Sequence, residues 1–352
     1  MSLRARPLLF ALALLLMMLS VVGCDDESGP SGPVHTGVRP LLAVVLDGGL
    51  VLLDRETGDW LGEPFGLGTA PNDIVAEGEA LYVINSISND LHEFRYQDGA
   101  VGYTRHLDIG LTRNRNPYCV AATGEGRLLV SNLLENSVSV IDLAEWRVDT
   151  LWQTGPAPEG IVVAGGYAYV VNSGYSFASF TFSQGSLYVY DLSDGSLVDS
   201  LILGVNAQYA ALGVDGTLAV TCTGDYQTVG GEIHLVSLDP LATIDILPVD
   251  GFPGRIASLP EGGFVIAAGG WASDGASNGL VLRLGDGSSA LAVEQIATAL
   301  GSIAIAGLAD GGFYVAARDA ERLELYNSDS RIATYALPDL PVALTLWDPA
   351  QP

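Results

Sequence analysis

Acid–base chemistry has few places to reside in this sequence. No lysine occurs anywhere, which excludes Schiff-base chemistry and a lysine nucleophile. Four histidines (His35, His92, His106 and His234) are scattered without a shared motif, and no calcium loop, phosphate loop or G-x-S-x-G elbow is present. Two other sets of residues carry more promise. The first is polar and falls at turn-like positions: Asn72-Asp73, Arg113, Arg115, Tyr118, Glu159, Gln208-Tyr209 and Arg255. An arginine in such a setting can grip a carboxylate or another small anion. Equally, Arg255 can neutralise Asp73 or Glu159, with no ligand at all. The second set is aromatic, with Tyr175, Phe177, Phe180, Phe182, Tyr226 and Trp271 lying in Gly/Ser-rich stretches. Aromatics in such loops suit adaptable recognition, or they pack on one another and cap the fold.

Charge narrows the partners. Fifteen cationic residues face 41 acidic ones, for a net charge of −26. That sign repels phosphate backbones and anionic lipid surfaces, which argues against nucleic acid and against peripheral docking on membranes.

The first 23 residues differ from all that follow. Arg4 and Arg6 precede an unbroken apolar run over residues 8–19, the length of a signal-peptide core and too short to span a bilayer comfortably. The run leads to Val21-Val22-Gly23-Cys24, which resembles the lipobox of bacterial lipoproteins. The resemblance implies cleavage before Cys24, acylation of that residue, and export to the periplasmic side or the cell surface. Residues 24–38 are largely polar and rich in Gly, Ser and Pro, and read as a spacer. Residues 39–352 then form the folded domain. Its 49% hydrophobic content over the whole chain and mean hydropathy of +0.34 come without a second bilayer-length apolar run, so they reflect buried strands.

The elements that position these residues emerge from internal repeats. Pro71-Asn-Asp-Ile-Val with Leu81-Tyr-Val-Ile-Asn85 matches Pro117-Tyr-Cys-Val-Ala with Leu128-Leu-Val-Ser-Asn132. Further copies are Pro158-Glu-Gly-Ile-Val with Ala168-Tyr-Val-Val-Asn172, and Pro253-Gly-Arg-Ile-Ala with Phe264-Val-Ile-Ala-Ala268. Weaker ones begin near Gln208 and Ser302. A spacing of roughly 40–50 residues with four short β-rich runs per unit is the arithmetic of a propeller blade. Pro341-Val-Ala-Leu-Thr-Leu-Trp347 has the look of an innermost strand with nothing after it, and Leu41–Leu46 begins three strands that lack one. The expectation is an all-β, seven-bladed β-propeller of four-stranded blades, closed by the C-terminal strand completing the first blade.

Tyr82-Val-Ile-Asn85, Leu129-Val-Ser-Asn132 and Tyr169-Val-Val-Asn172, with Asn136-Ser-Val-Ser-Val-Ile-Asp142, resemble the YVTN repeat of bacterial propellers. Some lactonases share such propellers, so the resemblance implies a fold and leaves the activity open. In this frame no histidine falls on an innermost strand, which argues against a channel metal site. Cys119 and Cys222 are separated by a whole blade and are expected as buried free thiols. Nothing calls for a cofactor. The links from second to third strand lengthen in blades four, five and six, where they wall one sector of the face that also carries the blade-to-blade connections.

The leading expectation is a non-enzymatic binding or interaction module of the cell envelope. Its loop-rich face would meet a protein, peptide or small molecule, with the lipid as its sole membrane contact. The alternative is a lactonase-like hydrolase built on Asp73, Glu159 and Arg255. Cys24→Ala is expected to move the protein from the membrane to the soluble fraction, and a variant that still sediments with membranes would refute the anchor.

Overall fold

The computed structural model describes residues 32, 34–35, 39–110, 114–271, 277–285, 293–328 and 330–349. Cys24 and Arg113 lie outside these, as do the side chains of His35 and Trp271.

Seven sheets of antiparallel strands follow one another around a ring. Blade two runs outward through Pro71–Glu77, Ala80–Asn85, Asp90–Gln97 and Ala100–Asp108. Blade three contains Pro117–Ala122, Arg127–Asn132, Ser137–Asp142 and Arg147–Gln153. Blade four has Pro158–Ala164, Tyr167–Asn172, Gln184–Asp191 and Leu197–Val205. Blade five has Ala207–Leu212, Leu218–Cys222, Gly231–Leu238 and Leu241–Val249. Blade six has Ile256–Ser258, Phe264–Ala267, Leu280–Leu284 and Val293–Ala297, with a two-stranded ribbon (Gly270–Trp271 with Ser277–Asn278) between its second and third strands. Blade seven has Ser302–Gly307, Phe313–Ala317, Arg322–Asn327 and Ser330–Ala336. No helix occurs among the described residues.

The second strand of each blade explains the continuous apolar runs. Because successive side chains point to opposite faces, a strand sandwiched between two neighbours must be apolar at every position. In Leu41–Leu46, the residues Leu41, Ala43 and Val45 pack with Leu81, Val83 and Phe94 of blade two. Leu42, Val44 and Leu46 face the other way, onto Tyr314, Ala316 and Leu323 of blade seven. Outside blade two, the outermost strands have only one paired neighbour each and stay polar or exposed, as in Leu197–Val205.

Blade one closes the ring. Pro341–Trp347 pairs antiparallel with Leu41–Leu46, from Leu41 opposite Trp347 to Leu46 opposite Pro341. Trp347 is buried and donates its indole N–H to the Gly78 carbonyl of blade two at 2.9 Å. On the other side Arg318 of blade seven binds Asp47 and the Pro341 carbonyl.

Val34–His35 departs from the expected spacer. It pairs with Ala100 and Val101 as a fifth strand on the outer edge of blade two. The Val34 side chain is buried against Gly62 of blade one, where an added Cβ would lie 2.6 Å from it. Residues 34–35 therefore belong to the sheet, because covering an edge strand and filling an apolar notch both favour their docking.

Trp347→Ala removes a buried indole from the closure strand and is expected to cost about 3–5 kcal/mol. Deleting residues 341–352 exposes the inner edge of Leu41–Leu46 and is expected to abolish a single cooperative melt. Circular-dichroism melts test both, and an unchanged transition in the deletion would refute closure as the source of cooperativity.

Candidate functional site

The entry to each innermost strand follows a local rule. The residue just before it adopts a positive φ in five blades: Ala70, Asn116, Ala157, Asn206 and Gly301. A register shift follows within the first residues of the innermost strand in blades one to five and seven. Such a bulge inserts an extra residue and re-aims side chains at a sheet edge. It is at these bulges that Asn72, Tyr118, Glu159 and Gln208 occur.

Bonds that skip blades cross the channel mouth. Arg255 of blade six donates from Nη1 to Asp73 Oδ1 of blade two at 2.7 Å, and from Nη2 to the Asn72 carbonyl at 2.7 Å. Asp73 Oδ2 accepts the Val120 N–H from blade three at 3.0 Å, and Asn72 Nδ2 donates to the Tyr118 carbonyl at 2.6 Å. The Tyr209 ring of blade five lies under the guanidinium, 4.9 Å from its carbon. Tyr209 also stacks on Tyr118 and donates to its hydroxyl at 3.3 Å. Burial alone would push Arg255 toward losing its proton, but the Asp73 carboxylate outweighs it and holds the guanidinium charged. Of the two expected roles for Arg255, neutralising Asp73 is the one observed.

No cation among the described residues pairs with Glu159. Its side chain is buried beside Tyr118, Ser173 and Gln208; burial outweighs the lowering effect of hydrogen bonding by these three and pushes its carboxyl up to about 8. Oε2 is buried without a hydrogen-bond partner. Burial likewise raises the phenol of Tyr209, to about 12 although Arg255 pulls it down, and those of Tyr118 and Tyr226. At neutral pH the described residues of the mouth therefore include one closed ion pair, one neutral carboxylic acid and three neutral phenols. It can exchange hydrogen bonds with an uncharged polar group, while its arginine is already engaged.

The long loops form a wall above this cluster. Tyr175 contacts Phe177 and Phe182, with ring centroids 4.8 and 4.7 Å apart. Phe182 contacts Tyr226 of the blade-five loop at 5.6 Å, and Tyr226 meets Phe252 at 5.1 Å, three residues before Arg255. Asp225 stiffens the base of that loop. Its Oδ1 accepts the N–H groups of Gln227, Thr228 and Val229, which hold the carboxyl down to about 2 against the opposing effect of burial. The loops of blades four and five thus pack on one another, and only Phe180 of this aromatic group is strongly exposed, at 53%.

The other expected residues sort differently. Arg115 is held within blade three, 2.9 Å from Glu135, away from the ion pair at the mouth. The Trp271 backbone lies in the blade-six ribbon. Cys119 and Cys222 are buried free thiols. Ser173 and Phe252 join the site without a sequence motif to mark them; the nearest signals are the repeat register for Ser173 and the neighbouring Pro253 for Phe252.

No family model matches the sequence, and no curated protein matches it. Solved structures do match. Hydrazine synthase of Kuenenia stuttgartiensis aligns with a TM-score of 0.68 at 14% identity, over 80% of this chain and 96% of that one. A candidate 6-phosphogluconolactonase of Bacteroides fragilis gives 0.68 at 13%, over 91% and 100%. Its counterpart from Bacteroides uniformis gives 0.66 at 15%, over 88% and 100%. Identities this low speak to the fold alone, and the fold is that of an all-β, seven-bladed propeller. Within that class its neighbours include candidate lactonases and other enzymes, with no single activity in common.

Two outcomes test this electrostatic picture. Arg255→Ala strands the Asp73 carboxylate in the interior and is expected to cost about 3–5 kcal/mol, far more than the paired replacement Asp73→Leu/Arg255→Met. Glu159 has a folded pKa above its ordinary value of 4.5, so the folded chain keeps a proton that the unfolded chain releases. Its contribution is then most favourable below about 4.5 and declines as pH rises toward about 8. Melting temperature should fall across that window in the wild type and fall less in Glu159→Gln.

Proposed function

We propose that this chain is an envelope-tethered binding protein that holds an uncharged, hydroxyl- or amide-bearing small molecule at the mouth of its propeller channel. The observation that carries the reading is the buried, unpartnered Oε2 of a neutral Glu159 among Tyr118, Ser173 and Gln208. Buried polar atoms are rarely left without a partner, and a ligand group that exchanges hydrogen bonds with the acid satisfies it. The aromatic wall from Tyr175 to Phe252 supplies apolar area beside it. The lipobox-like Val21–Cys24 segment supports tethering, and the YVTN-like repeats support placement among bacterial envelope propellers.

Lactone hydrolysis is the second reading. It is favoured by the two Bacteroides neighbours and by the proton that Glu159 retains near neutral pH, which suits a general acid.

The test is to purify the lipidated protein from its native membranes and extract and identify its bound small molecules by mass spectrometry. Glu159→Leu, confirmed as folded by its melt, serves as the comparison. The reading expects a polar, uncharged species enriched in the wild type and reduced about tenfold or more in the variant. Identical extracts from both proteins would sink it. Lactone hydrolysis that is present in the wild type and lost in Glu159→Gln would put the second reading in its place.

A further inference from the structure

A second cluster lies away from the channel, on the face of blade five that packs toward blade four. Cys222 ends the second strand, and Glu232 stands directly opposite it on the third strand. His234 is two residues further along, so all three side chains share one face of the sheet. Their ligand-capable atoms lie within 4.8 Å of one another, the one such group found among the described residues. We propose that Cys222, Glu232 and His234 form a binding site for a divalent cation of the zinc class.

The chemistry of the donors selects the ion. Thiolate, imidazole and carboxylate together suit zinc, whereas an all-oxygen set would suit calcium or magnesium. The convergence of three different donors on one face is what points to a ligand beyond a simple Glu–His contact. His234 Nε2 lies 2.8 Å from Glu232 Oε1, but its Nδ1 is buried with no partner. In addition, Gly204 on the outer strand of blade four leaves a cradle for these groups. A Cβ there would sit 1.9 Å from Glu232 Oε1 and 3.0 Å from the Cys222 Cβ. A lone Glu–His hydrogen bond does not require a sulfur on the same face.

A cation bound through the thiolate displaces the Cys222 proton to solvent, so binding strengthens as pH rises. Glu232 keeps 30% of its side chain exposed and gives the ion its route in. Cys222 and Glu232 flank the loop that carries Tyr226, so a bound ion would tie together the two strands at the base of that loop.

Cobalt(II) and zinc(II) titration of the full chain tests the proposal. One zinc per chain is expected, with a near-ultraviolet cobalt–thiolate band that persists in Cys119→Ala and disappears in Cys222→Ser. Glu232→Gln, at a partly exposed position, should fold normally and bind zinc at least tenfold more weakly. Metal uptake without a thiolate band would mean adventitious binding to the acidic surface and would overturn the site. So would zinc affinity unchanged in both Cys222→Ser and Glu232→Gln.

Discussion

Each blade of this protein is too thin to have an interior of its own. Its second strand is apolar on both sides, so its burial depends on a neighbour to the left and another to the right. Seven apolar clusters therefore sit between blades, and each joins consecutive members of the ring. Such an arrangement has no stable partial form with clean ends, because a missing blade bares two apolar faces at once. The antiparallel pairing of Leu41–Leu46 with Pro341–Trp347 satisfies this constraint, and the rest of the molecule depends on it.

Closure also sets the chemistry of the mouth. Arg255 and Asp73 are 182 residues apart in sequence, and only the completed circle brings them within 2.7 Å. Once joined, they remove the obvious cation from any anion-binding role. Glu159, two blades away from Arg255, is left in a buried, proton-retaining state. The result is a mouth that is polar yet nearly uncharged, inside a protein with a net charge of −26. It favours hydrogen bonding over electrostatic capture.

The repeats made the blades legible because every unit repeats the same physical demand, an apolar second strand between two turns. The shared blade was readable from the mismatch of its halves, with Pro341–Trp347 lacking a successor and Leu41–Leu46 lacking a predecessor. The mouth was readable only as a set of candidates. Whether Arg255 would meet Asp73, Glu159 or a ligand depends on the bulges that re-aim side chains across the channel, and a bulge has weak sequence marks. The aromatic loops were visible as composition, but their mutual packing depends on where blades four and five place them. The Cys222 cluster is not legible in the sequence, where Cys222 stands ten residues from Glu232 across a loop. Strand register, which sets Glu232 opposite Cys222, is what gives the group meaning. Val34 was missed because two residues in a Gly- and Pro-rich stretch carry no strand period.

A first blade that waits for the last strand has a consequence in time. While the chain is being made or moved, Leu41–Leu46 keeps an open inner edge, and its partner arrives some 300 residues later, an extreme of non-local contact. The early blades can form their own hairpins but cannot lock into a ring. Folding of the whole is thus coupled to completion of the whole. A protein built in this way stays loose until its final strand is available, and only then commits to its shape.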